Sequence, residues 1–202
     1  MNKPVLFIDI DGVLNFDGQD PWPTSAEFAE AFKQHLPDTF LIRLLDSGRL
    51  ALLRSFIQQV PKVKIVIHST WRKRLQDRII PFLSKAADIP EDRFAPVAPF
   101  KFSSTRGHEV RMWLEEYDPQ GVLRYAILDD KPEEFSFFPE GAVFAVDSKL
   151  GLTVEIVARL TRYYSHLETS DESNSHICGR ARENTGVTRE LSAHAGDHNR
   201  PT

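Results

Sequence analysis

Cysteine is all but missing from this chain of 202 residues: Cys178 stands alone. No intrachain disulfide can form, which fits a reducing compartment. Long apolar runs are missing too, since no stretch approaches the ~18–20 residues that a membrane span requires. The amino terminus lacks the pattern of a signal peptide, so a cytoplasmic location without membrane attachment is expected. Positive charge is not in excess: 25 Lys+Arg against 29 Asp+Glu give a net charge of −4. That argues against a broad electrostatic footprint for nucleic acid and leaves room only for a local basic patch. Aromatic side chains are absent after Tyr164, although the chain holds 14 Phe, 3 Trp and 4 Tyr. Beyond that point the large aliphatics are only Leu167, Ile177, Val187 and Leu191, scattered among polar residues. Such a segment buries too little apolar surface to offset its ordering entropy, so 167–202 is expected to be a disordered polar tail. The tail contains His176-x-Cys178 and His194-x3-His198. The second pair has metal-ligand spacing, but a zinc site needs a more compact ligand set.

What remains, residues 1–166, has the size and hydrophobic content of one domain with a real core. Its pattern alternates between short β-branched runs and amphipathic stretches. Val5 to Ile8, Val63 to Ile67, Tyr125 to Leu128 and Ala142 to Val146 read as strands. Ser47 to Val60 reads as a helix ended by Pro61, and Trp71 to Ala87 as a helix that Pro81 kinks or splits. Gly107 to Tyr117, carrying Val110, Trp113 and Leu114 on one face, and Leu152 to Tyr164 complete the set. Alternation of this kind predicts an α/β fold, a parallel sheet sandwiched by helices.

The chemistry gathers where the strands end. Asp9-Ile10-Asp11-Gly12 follows the first strand directly and sets two carboxylates two residues apart at its carboxyl end. Open α/β sheets do their chemistry just beyond strand ends. Two acids there repel each other and resist desolvation, and a bound divalent cation is the obvious compensation. The alternative is a plain surface turn, since Asp-Gly is a common turn dipeptide. Two more strands end in polar groups: His68-Ser69-Thr70-Trp71-Arg72, and Asp129-Asp130-Lys131-Pro132.

Taken in order, these motifs resemble those of the haloacid-dehalogenase (HAD) superfamily of phosphohydrolases. An apolar strand followed by DxDG matches its first motif at Asp9 to Gly12, and a strand ending in Ser or Thr matches its second at Ser69, with Thr70 as the alternative register. The paired acids Asp129 and Asp130 match its fourth. More narrowly, DIDGVLN, STWR, RGHEVRMWL and ILDD resemble the HAD domain of Swiss Army Knife RNA-repair proteins, over roughly residues 3–160. The resemblance implies a Rossmann-like (HAD) sheet. The short spans between motifs, Asn15 to Asp46 among them, imply a small cap or none and a site open to bulky phosphoesters.

The resemblance also assigns roles. Asp9 would be the nucleophile and Asp11 the proton donor and acceptor, with Gly12 turning the backbone beneath the phosphate. Mg²⁺ would be held by Asp9 and Asp129, by Asp11 through its backbone carbonyl, and by Asp130 through water. Ser69, or Thr70, would hold a phosphoryl oxygen, while capping the following helix is compatible with that role. Arg72 could fork onto a second phosphate or pair with an acid. The basic residue of the third motif is Arg106, at the entrance to the helix, or Lys101. His68 and His108 are assigned to packing or solvent, and Asp147 to a turn or to support of the metal. Trp22 and Trp71 read as buried packing, with base stacking as the alternative. The function implied is a Mg²⁺-dependent phosphomonoesterase acting through an aspartyl-phosphate on nucleic-acid or nucleotide ends. The alternatives are a phosphatase of small metabolites or proteins, and a catalytically silent HAD-like binding domain.

Overall fold

The computed structural model describes residues 3–15, 38–100 and 104–165. Four parallel strands form one sheet in the order β2-β1-β3-β4: β1 is Val5–Ile8, β2 Lys64–Ile67, β3 Tyr125–Asp129 and β4 Val143–Ala145. All four residues of β1 are buried, as expected of a central parallel strand covered on both faces. Segment 94–98 extends the sheet beyond β2 through a parallel bridge between Ile65 and Phe94 and amide bonds from Ala95 and Ala98 to the carbonyls of Ile65 and Ile67.

The helices are α1 (Asp38–Ile42), α2 (Ser47–Gln59), α3 (Arg72–Leu75), α4 (Ile79–Ala87), α5 (Arg106–Tyr117) and α6 (154–165). On one face of the sheet, Val5 and Phe7 of β1, Val66 and Ile127 pack with Val110 and Trp113 of α5 and with Phe135. Leu6 and Ile8 alternate to the opposite face and are equally buried, so the sheet is a middle layer. There α2 packs against α4, and Phe56 of α2 meets Tyr164 of α6 with ring centroids 5.9 Å apart. The Tyr164 hydroxyl ties α6 to β1 by donating to the Val5 carbonyl at 2.6 Å.

One element differs from the sequence expectation. The Trp71–Ala87 stretch does break, but at Gln76, whose φ is +49°, and not at Pro81. Pro81 sits in the first turn of α4, where a missing N–H removes no intrahelical bond. Residues Ser25–Gln34, whose pattern also reads as a short helical stretch, lie outside the described residues, as do Trp22, Lys101 and the tail with its His and Cys pairs. Among the described residues no helix is long and apolar enough to cross a membrane.

Because the chain passes from β1 to β2 on one side and then to β3 on the other, the carboxyl end of β1 is the topological switch point, where open sheets leave a crevice. Register makes that crevice a site. Ile8 pairs with both Ile67 and Leu128, so the next residues, His68, Asp9 and Asp129, lie level across three strands.

Candidate active site

A cleft of about 330 Å³ opens at this level, lined by Asp9, Asp11, Gly12, Thr70, Arg106 and Asp130 and flanked by Lys73, Phe100, Lys131 and Glu134. Asp9, in its lining, and Asp129, at the same level on the neighbouring strand, are both buried. One oxygen from each of Asp9, Asp129 and Asp130 lies within 4.8 Å of the others, a spacing at which one ion can touch all three. Arg106, at the amino-terminal end of α5, enters the same space. Its guanidinium pairs with Asp9, stands 3.0 Å from Asp129 Oδ2 and 3.7 Å from Asp130 Oδ1. Glu134 orients it from behind, accepting from the Arg106 backbone N–H at 2.9 Å and lying 3.5 Å from Nε.

The electrostatics follow from burial and crowding. Desolvation raises Asp9 to about 6, against the pull of Arg106 and with a push from Asp129. Desolvation likewise raises Asp129 to about 6, again against Arg106. Asp130 is raised by burial and by Asp129. Arg106 would be lowered by its own burial, but Asp9, Asp129, Glu134 and Asp130 outweigh that and raise it. One guanidinium thus serves four carboxylates, which leaves the group short of positive charge. The donors are hard oxygens, the set that Mg²⁺ or a similar divalent cation prefers, and the residues present fit such an ion.

His68, assigned to packing or solvent from sequence, is part of this centre. Its Nε2 lies 2.7 Å from Asp129 Oδ2, and burial drives its pKa down to about 3. The ring is therefore neutral, with the proton on Nε2 donated to the carboxylate. Asp129 Oδ1 accepts from the Lys131 amide at 2.8 Å, so both oxygens of Asp129 are fixed. The sequence signal for His68 was its register with Asp9, one residue past the end of β2.

Asp11 stands apart from the three-acid group. Its Oδ1 accepts from the Trp71 indole and from the Asn15 side-chain amide, each at 2.9 Å. Asn15 in turn accepts the Gly12 N–H at 2.9 Å, closing the turn after β1. Asn15 was given no role from sequence; its position four residues after Asp11, in one tight turn, was the available signal. Gly12 has φ +71°, and a Cβ placed on it would come within 2.7 Å of Asp130 Oδ2. The turn beneath the acids therefore needs glycine on two counts.

At the end of β2 the two hydroxyls separate. Thr70 is exposed and lines the cleft, whereas Ser69 is buried and its Oγ accepts from the Trp71 amide at 3.4 Å. Of the two alternatives for Arg72, the structure has the acid. Its guanidinium pairs with buried Glu109 of α5 and donates to the carbonyls of His68, Ser69 (2.7 Å) and Pro99 (3.3 Å). Arg72 therefore fastens the turn after β2 to α5 and lies away from the cleft lining. Trp71 is buried and stacks on Phe82 with centroids 5.9 Å apart. Asp147 is exposed, and its carboxylate accepts the Lys149 amide at 2.8 Å in a turn. His108 is exposed on α5 against Phe137, with centroids 5.2 Å apart.

Sequence comparison agrees with this geometry. The family described as the HAD domain in Swiss Army Knife RNA repair proteins matches residues 5–157, from β1 into α6. The chain belongs to this family. The match spans every strand and each acid of the cleft, so the domain is of the HAD hydrolase type and its acids are placed to hold a divalent metal. Comparisons with curated proteins and with solved structures returned no match.

Proposed function

We propose that this HAD domain is a Mg²⁺-dependent phosphomonoesterase that works through an aspartyl-phosphate and acts on nucleic-acid or nucleotide phosphate ends. One observation carries the reading: two carboxylates only two residues apart occupy opposite environments. Asp9 is buried against Arg106 and the other acids, while Asp11 is held at the cleft wall by two neutral N–H donors. Such a split gives two acids two roles.

In the first step an Asp9 oxygen attacks phosphorus, the ester P–O bond breaks, and the leaving oxygen takes a proton from Asp11. In the second, water attacks the same phosphorus and gives its proton to Asp11. The bond between phosphorus and Asp9 then breaks, restoring the carboxylate and releasing inorganic phosphate. Arg106 lies against Asp9 and offsets charge there as the bond forms and breaks. A cation held by Asp9, Asp129 and Asp130 supplies the positive charge that lets an anionic nucleophile approach a phosphate dianion. Thr70 offers a hydroxyl at the cleft wall for a phosphoryl oxygen.

Two features support a nucleic-acid or nucleotide end as substrate. The family is described by its place in RNA repair proteins. In addition, the cleft is flanked by Lys73, Lys131 and Phe100, with Lys73 Nζ 3.8 Å from the Phe100 ring centre. Cations and a half-buried ring beside the reacting phosphate suit a flanking phosphate and base. The test is phosphate release, with and without Mg²⁺, from 3′- and 5′-phosphorylated oligonucleotides, nucleotides and sugar phosphates. Metal-dependent turnover on oligonucleotide or nucleotide ends is expected. Turnover confined to sugar phosphates would replace this substrate, and no turnover on any of them would refute the nucleic-acid or nucleotide reading.

A further inference from the structure

We infer that Trp71 is a positioning residue for the chemistry: its indole N–H holds Asp11 in place as the proton carrier and keeps it from joining the metal-binding acids. The inference rests on the proposed role of Asp11 as proton donor. Asp11 is two residues from Asp9 and borders the same cleft, so a cation or Arg106 would draw its carboxylate inward. Two donors from different parts of the chain oppose that. Trp71 Nε1 comes from the end of β2 and Asn15 Nδ2 from the turn after β1, and both reach the same oxygen, Oδ1, at 2.9 Å.

Neither donor is free to wander. Asn15 is buried, and because its own Oδ1 accepts the Gly12 N–H, its amide faces Asp11 with the nitrogen. The Trp71 ring is 2% exposed and stacked on Phe82 at an interplanar angle of 27°. With Oδ1 engaged twice, the carboxylate plane is set. Oδ2 accepts no hydrogen bond among the described residues and is the oxygen left to exchange a proton with the leaving group and then with water. A tryptophan buried for packing alone would need only its rings. Here the one polar atom of the side chain points at a catalytic acid across 60 residues of sequence.

Trp71→Phe removes the N–H and keeps an aromatic ring on Phe82. With Mg²⁺ present, phenyl phosphate and p-nitrophenyl phosphate separate the possibilities, because phenolate needs a proton to leave well and p-nitrophenolate does not. The variant should lower kcat/KM, which reports the step in which the leaving group departs, by about tenfold on phenyl phosphate and by no more than about twofold on p-nitrophenyl phosphate. Equal losses on the two esters would overturn the inference and leave Trp71 a packing residue. Asp11→Ala is the reference for the reading beneath: it should show the same selectivity, larger. If Asp11→Ala slows both esters alike, the proton-donor role itself fails. If it is selective and Trp71→Phe is not, only the Trp71 inference fails. A second readout needs no turnover and no change at Trp71. In a metal-free chain labelled with ¹⁵N, the Trp71 indole N–H resonance should move upfield on Asp11→Asn, which weakens the charge it donates to. An unmoved resonance would also overturn the inference.

Discussion

Asparagine in place of Asp9, the proposed nucleophile, should make the metal-free protein more stable, although it removes an ion pair. Burial raises Asp9 from 3.8 to about 6 even after the attraction of Arg106 is counted. A shift of about two units, at about 1.4 kcal/mol each, makes the ionised carboxylate roughly 3 kcal/mol less stable in the folded chain than in the unfolded one. The sign follows from linkage. Between pH 3.8 and about 6 the folded state binds the proton that the unfolded state has lost, so stability from this group is complete below 3.8 and is lost as pH rises through 6. His68 acts in the opposite sense: with its pKa lowered to about 3, its contribution is complete above 6.5 and is lost as pH falls. The two partly cancel in any single curve; the difference between wild type and Asp9→Asn reads Asp9 together with its effect on His68 and Asp129, with which it interacts. Urea unfolding in EDTA should find Asp9→Asn more stable by roughly 3 kcal/mol at pH 8, with the gap closing towards pH 4. Saturating Mg²⁺ should shrink or reverse it, because only the wild type gains the ion's full binding energy. A variant less stable than wild type at pH 8 without metal would show that the Arg106 pair outweighs burial, and the account of the site's charge would be wrong.

Mg²⁺ should bind more weakly below pH 6, where protons compete for Asp9 and Asp129, and calorimetric titration at pH 5 and pH 7.5 measures this. Gly12→Ala meets both a positive φ and the Asp130 carboxylate, so it should destabilise by about 2–3 kcal/mol and weaken Mg²⁺ binding; unchanged binding would mean that Asp130 does not help hold the ion. Glu109→Leu, which strands the buried Arg72 charge, should cost about 3–5 kcal/mol in urea unfolding, and Arg72→Met with Glu109→Leu should cost less than the single change.

Much of the centre was legible because one rule served twice. Apolar runs identified the strands, and acids directly after them identified the crevice, since parallel strands deliver their ends to one edge. Asp9, Asp129 and Asp130 converge for that reason alone. What the sequence hid are contacts that no local pattern encodes. Glu134 and Arg106 lie 28 residues apart, and Arg72 and Glu109 lie 37 apart. Arg72 illustrates the difficulty: an arginine one helical turn past a strand end reads equally as a phosphate ligand or as half of an ion pair, and only the depth of α5 decides. Ser69 and Thr70 are adjacent hydroxyls that a turn sends in different directions, one under the sheet edge and one into the cleft.

The charge balance explains why these hidden contacts matter. Arg106 stands among Asp9, Asp129, Asp130 and Glu134, and His68 adds hydrogen bonding without charge because burial keeps it neutral. A phosphate dianion entering such a group unaided would meet net repulsion in a partly desolvated cleft, where opposing charges are screened far less than in water. On the proposed mechanism a cation would therefore precede the phosphate, and a fold that left its own positive charge in surplus would not need one. Glu134 sharpens this requirement. By occupying the Nε side and the backbone of Arg106, it takes up part of the guanidinium that pairs with these acids and fixes its direction. The guanidinium is thereby turned towards Asp9, and in the proposed reaction neutralising the phosphate would be left to an ion that three buried or half-buried acids are placed to hold.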